Sequence, residues 1–479
     1  MKLRRGPFLL MIAVGSVLQP RLALAWDPAT THAGLTERAL AVSKFHATLA
    51  HQLGRALGSL EPLRLDLSAL EPNAGRSLKA RLDALDPAGG YRPSAEGIAT
   101  ASAWVRAGAV LAKTPPERGR HHFFEPRTRT GLDDGPGLSG TVHVARLTLD
   151  DGATVRDSAT GQAFALEGMP AIDWLRSSQN DLGLTALLDN WVLAVKAPQA
   201  PQRETALAQA LLALGGVLAV LEDAGQPAFV RNDFRGEFLA QDSGSAVERF
   251  VSDRYGSGSL PPAPTPVSRP DLDSYFVAAD DNGLAQATQR RFFSAGTLPQ
   301  DFRFIPGQTP SEIAGAANRS LRFPEPKVTA LDLRQAGRTR YVVRDGIRVL
   351  AYQRNADRVH FFLDQAVHAD VARRWLPQVE AYAAGMIDHL LRAKLEIVIA
   401  DNMAQVTVTG TVTPTEATFA VHMLCEDDAG VRSEFAAQTP HGDVPLSFEI
   451  PKGARKVAAY LRGQDSAGVF VAAAEVRVP

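Results

Sequence analysis

The chain has 479 residues, enough for about three domains at roughly 150 residues each. With 45% hydrophobic and 22% charged residues, 39 Gly and 31 Pro, it sits near globular averages, which excludes a disordered, collagenous or coiled-coil chain. The formal charge is −1, and the first 25 residues hold four bases and no acid, so the remaining body is mildly acidic and exerts no general pull on nucleic-acid backbones.

Lys2, Arg4 and Arg5 precede an apolar stretch from Pro7 to Leu18, and Leu22-Ala23-Leu24-Ala25 supplies small residues at the two positions a signal peptidase reads. Cleavage is expected after Ala25, sending the protein to the periplasm or out of the cell. The stretch is shorter than the roughly 20 residues that span a bilayer, and no other segment reads as long and charge-free enough to do so. The single cysteine, Cys425, excludes an internal disulfide, so the exported fold must rest on its core. Cys425 itself reads as a small buried strand residue. Cleavage makes Trp26 the mature N-terminus, whose α-amine, with a pKa near about 8, can chelate a metal together with its own carbonyl.

Residues 26 to about 255 read as mostly helical. Thr36 is placed to cap a helix through Leu40, Phe45, Leu49 and Leu53, and Glu204 opens another through Leu207, Leu211, Leu214, Leu218 and Leu221. That second helix is apolar on nearly every face, so Asp223 near its end wants a partner: a cap, a base or a metal. Residues 141 to 166 read as a strand-rich insertion. The proline-rich run 256 to 270 cannot form helix or central strand and reads as a linker. Residues 271 to 395 are mixed, ending in a helix from Asp364 to Leu395 whose apolar stripe follows the 3.6 period. From 396 to 479 the period changes to two, describing a β-sandwich. His360, His368 and His389 lack ligand spacing, and the acidic runs Asp280-Asp281 and Glu426-Asp427-Asp428 read as solvated loops. The expected fold class is multi-domain: a mainly α-helical N-terminal domain, a mixed middle region and a C-terminal all-β sandwich.

Several separated pieces share one order. They are Trp26 with His32, the run His121-His122-Phe123-Phe124-Glu125-Pro126, the buried helix ending Leu221-Glu222-Asp223 and continuing to Asp233, and Val247-Glu248-Arg249-Phe250-Val251. Over roughly residues 26 to 255 this resembles the zinc-dependent phospholipase C and single-strand nuclease superfamily. Ala171-Ile172-Asp173-Trp174 and the run from Leu376-Pro377 to Asp388 also look like a bacterial branch of that group. The resemblance implies a helical, phospholipase C-like fold whose site holds three zinc ions and cleaves phosphodiesters.

Carried over residue by residue, the first metal position is complete in Trp26, His32 and Asp223. At the second, His122 (or His121) and the bridging Asp223 match. The family's upstream carboxylate falls within Ala112-Lys113-Thr114-Pro115, and its histidine four residues before Asp223 is Ala219. At the third, Phe229 and Gly244 stand where the family has histidines, and Glu248 alone remains. A phenylalanine cannot coordinate zinc, and a lysine repels it. The inherited multi-metal centre therefore reads as mostly lost, with Lys113 standing in for one metal's charge and forming a buried ion pair with Asp223. The metal candidates are Trp26, His32, His122 and Asp223, with one zinc site at most. Asp223 and Glu248 are the candidate catalytic residues.

The function expected is an exported relative of zinc-dependent phospholipase C, non-catalytic or weakly active, binding a lipid head group or cell-surface ligand with peripheral membrane contact. Two alternatives stay open: an active extracellular metal-dependent phosphodiesterase with a reduced metal set, a phospholipase C before a nuclease, and a purely structural exported protein.

Overall fold

The computed structural model describes residues 28–132, 142–144, 147–150, 154–157, 163–165, 167–234, 250–253, 265–410, 419–440 and 444–479. A π-helical turn, Pro28–His32, runs straight into α1 (Ala33–Val42), followed by α2 (Phe45–Gln52). Thr36 is not the expected cap: it lies inside α1, and it is buried. The single helix expected through Leu53 is two, separated at Ser43-Lys44. A two-stranded ribbon of β1 (Pro62–Arg64) and β2 (Ile98–Thr100) encloses α3 (Pro72–Asp83) and leads into α4 (Ala101–Leu111).

The insertion forms four antiparallel strands in sequence order, β3 (Val142–Val144), β4 (Leu147–Asp150), β5 (Thr154–Asp157) and β6 (Ala163–Ala165). After it come α5 (Ala171–Arg176), α6 (Leu184–Lys196) and α7 (Ala200–Asp223). By length and composition α7 could cross a membrane, but 89% of its apolar window is buried inside the protein. Every residue from Ala210 to Asp223 is covered, as an all-round apolar helix requires. Two glycines set its approach to α4. A Cβ on Gly108 would lie 1.9 Å from the Leu212 carbonyl oxygen, and one on Gly215 would lie 1.9 Å from that of Val105.

The middle region holds α8 (Leu284–Arg291), α9 (Pro310–Asn318) and a four-stranded sheet in the order β7-β10-β9-β8, built from β7 (Phe302–Arg303), β8 (Thr339–Arg344), β9 (Ile347–Asn355) and β10 (Arg358–Phe362). The long helix expected from Asp364 breaks at Trp375, ahead of Pro377, into α10 (Gln365–Arg374) and α11 (Leu376–Leu390). The break turns the Trp375 indole to donate to the Gly225 carbonyl at 3.0 Å, just past α7. Described residues of the proline-rich run strap across α11, with the Val267 N–H bound to the Ala381 carbonyl at 2.9 Å over Gly385, where a Cβ would strike the Val267 backbone. Apolar residues from α1, α4, α6, α7, α8 and α11 share one continuous core.

The C-terminal sandwich packs a three-stranded sheet, β11-β12-β15, on a four-stranded one, β14-β13-β16-β17. Its strands are β11 (Lys394–Ala400), β12 (Met403–Thr409), β13 (Val421–Glu426), β14 (Arg432–Gln438), β15 (Leu446–Glu449), β16 (Lys456–Asp465) and β17 (Gly468–Arg477). Alternation along β16 explains its docking. Val457, Ala459 and Leu461 enter the sandwich core, whereas Ala458 and Tyr460 join the core of the helical body. Covered on both faces, the strand is apolar at five successive positions. Cys425 lies in β13 and is half-buried.

Candidate functional site

Four elements converge at the C-terminal end of α7. The π-turn ends in His32; the chain just past α4 supplies Lys113; the 3₁₀ segment Pro116–His122 presents His122; and α7 closes on Glu222 and Asp223. All five side chains are fully or almost fully buried. The Lys113 ammonium donates to Asp223 Oδ1 at 2.9 Å, which is the ion pair expected from the sequence. Asp223 Oδ2 lies 2.7 Å from His122 Nδ1. His32 Nδ1 is 2.6 Å from Glu222 Oε2, whose other oxygen accepts from the Thr36 hydroxyl at 2.8 Å. The ammonium lies over the Phe229 ring, with Nζ 4.5 Å from its centroid, and Phe123 stacks on that ring at 4.3 Å.

Burial alone would raise the Asp223 carboxyl, but the charges of Lys113 and His32, with hydrogen bonds from both histidines, hold it far below the usual carboxylate range. Burial depresses the His122 imidazole to about 4 against the partial pull of Asp223, so this ring is neutral at pH 7. For His32 burial again opposes charge, but Asp223 and the bonds to Asp223 and Glu222 carry it above its ordinary value. Glu222 is raised by burial.

The implied three-zinc centre does not fit these residues. A metal held by nitrogen and oxygen at about 2.0–2.2 Å keeps the two ligand atoms roughly 3.4 Å apart. His122 and Asp223 are closed directly on one another, and the ammonium and the Phe229 ring occupy the space on the lysine side. His32 Nε2 lies 3.2 Å from Asp223 Oδ1. That is a ligand-like separation, but among the described residues it brings together two ligand atoms where three or four are needed, and the oxygen already carries Lys113. Among the described residues no group of three or more His, Cys, Asp or Glu is arranged to hold a metal. Trp26 and Glu248 lie outside the described residues.

The other sequence pieces separate. His121 turns away from Asp223 and stacks on Trp174 at 4.2 Å, so His122 is the histidine of the cluster. Asp388 accepts from the Lys44 backbone at 2.7 Å, joining α11 to the α1–α2 break. His389 bonds to the Ala467 carbonyl at 3.1 Å. Glu426 is no solvated loop residue: it sits in β13 and accepts from Arg203 at 3.0 Å and Arg432 at 2.8 Å. Glu222 and Thr36 were missed as site residues. The signal for Glu222 was present, a second acid beside Asp223 at the end of an apolar helix, whereas nothing in the sequence pairs Thr36 with it.

No family model matches the sequence, and no curated protein matches it. Among solved structures the chain is similar to the alpha toxin from Clostridium absonum, at 11% identity and a TM-score of 0.28, covering 95% of this chain and 96% of that one. It is likewise similar to the alpha toxin of Clostridium perfringens isolated from avian strain SWCP, at 10% identity and a TM-score of 0.29, covering 95% of this chain and all of that one. Superpositions this loose carry no argument about fold or activity.

Proposed function

We propose that the protein is an exported, non-catalytic or weakly active relative of the zinc-dependent phospholipases C that binds a lipid head group or cell-surface ligand. The observation that carries this reading is the Lys113 ammonium on Asp223 Oδ1 at 2.9 Å. A fixed cation on that carboxylate competes with any metal that would activate a water there. Because the cluster is sealed from solvent, ligand binding falls to the outer surface. An open cavity of about 550 Å³ beside α3 and the β1–β2 ribbon has the size for a head group. Arg64, Arg92, Asp66 and Glu96 stand around it, over Trp104. Bases and acids facing one space suit a zwitterion such as phosphocholine better than a simple anion.

The test is hydrolysis of a chromogenic phosphocholine ester, and of single-stranded DNA, by the secreted protein with added zinc, alongside sedimentation with phosphatidylcholine vesicles. The expected result is no turnover above blank and co-sedimentation with vesicles. A second reading, a phosphodiesterase using one metal, is favoured by the 3.2 Å separation of His32 Nε2 and Asp223 Oδ1, the spacing of two ligands on one ion. Zinc-dependent turnover lost in Asp223→Asn would establish it in place of the first.

A further inference from the structure

We propose that the Lys113 ammonium is the resident cation of the buried centre, seated in an ammonium-shaped socket that makes the fold independent of divalent metal. Two groups face the ammonium: the Asp223 carboxylate at 2.9 Å and the face of Phe229 at 4.5 Å. A carboxylate and an aromatic face are what a primary ammonium uses, one as hydrogen-bond acceptor and the other through its quadrupole. A transition metal gains little from a benzyl ring and needs lone pairs in its place.

Charge accounting points the same way. Asp223 already holds Lys113 on Oδ1 at 2.9 Å and His122 on Oδ2 at 2.7 Å, so both of its oxygens are engaged. A divalent ion on the same carboxylate would set a second cation against the buried ammonium, at a large desolvation cost. The inference concerns what holds the core together, so it stands or falls separately from the vesicle and hydrolysis measurements above.

The experiment follows thermal unfolding of the full secreted chain and of Lys113→Ala, each with chelator, with cobalt or zinc, and with ethylammonium. The native protein is expected to unfold at the same temperature with and without chelator and to carry less than one equivalent of metal. Lys113→Ala is expected to unfold roughly 5–10 °C lower, because the buried carboxylate loses its cation and keeps only its histidine contacts. Ethylammonium should recover part of that loss and tetramethylammonium, which cannot donate, none. Lys113→Arg keeps the charge and covers the case in which the alanine variant does not fold; it is expected to fold and to stay indifferent to chelator. Stoichiometric metal in the native protein, a chelator-induced loss of stability, or recovery of Lys113→Ala by cobalt and not by ethylammonium would each overturn the proposal.

Discussion

Lys113 Nζ and Asp223 Oδ1 meet at 2.9 Å across 110 positions of sequence, with both side chains shielded from water. A pair this enclosed is expensive to form and more expensive to break, because removing one member takes the counter-charge from the other inside the protein. Asp223→Asn should therefore lose about 3–5 kcal/mol in urea unfolding. The double variant Lys113→Met/Asp223→Leu should recover most of it, since neither charge is left behind. A double-mutant cycle with no coupling would refute the pairing.

Glu222 should matter almost as much, although no charge-balancing argument from the sequence selects it. Its two oxygens accept from Thr36 and from His32. Thr36→Val removes a donor from a buried carboxylate and should cost about 1–3 kcal/mol, with Thr36→Ser close to native. Equal stability of the valine and serine variants would show that the hydroxyl does not donate there.

Gly215→Ala tests the crossing of α4 and α7. Alanine is the better helix former by about 1 kcal/mol, so propensity alone predicts a gain. Its Cβ would instead lie 1.9 Å from the Val105 carbonyl oxygen, and backbone cannot move aside as a flexible side chain can. A marked loss of stability or of soluble yield is expected, and a stabilised variant would contradict the close approach.

At the seam between the helical body and the sandwich, Arg432 donates to Glu426 and Glu475 and to the Val195 carbonyl. Arg203 joins it at Glu426. Arg432→Ala leaves two partly buried carboxylates short of a donor, so calorimetry should resolve a separate, earlier sandwich transition. A single transition at the native temperature would mean that apolar docking by Ala458 and Tyr460 suffices.

His389 gives the same seam an acid sensitivity. Burial, with Arg392 nearby, depresses its imidazole to about 4, whereas the unfolded chain titrates near 6.5. Between those values the unfolded state takes up the proton first, so stability is full above about pH 6.5 and declines as pH falls toward 4. The upper limit of this contribution is about 3 kcal/mol. His389→Gln should flatten the decline relative to native, as measured by urea midpoints at pH 7, 5.5 and 4.5, and parallel curves would rule the residue out.

Sequence patterning by itself determined the helical body, the strand-rich insertion and the terminal sandwich, because periods of 3.6 and 2 are local properties of which face meets a core. It also identified Asp223 as an acid in need of a partner, and Lys113 as that partner through the resemblance. Boundaries inside the elements were less legible: the breaks at Ser43 and Trp375 depend on what packs across them. Only the tertiary structure decided that His122, not its neighbour His121, joins the cluster, that Glu222 and Thr36 complete it, and that Glu426 belongs to a seam instead of a loop. Each of those assignments depends on which distant side chain arrives within hydrogen-bonding reach. A linear pattern records how a residue relates to its own element, whereas the partner of a buried charge is fixed by how separate elements pack around it.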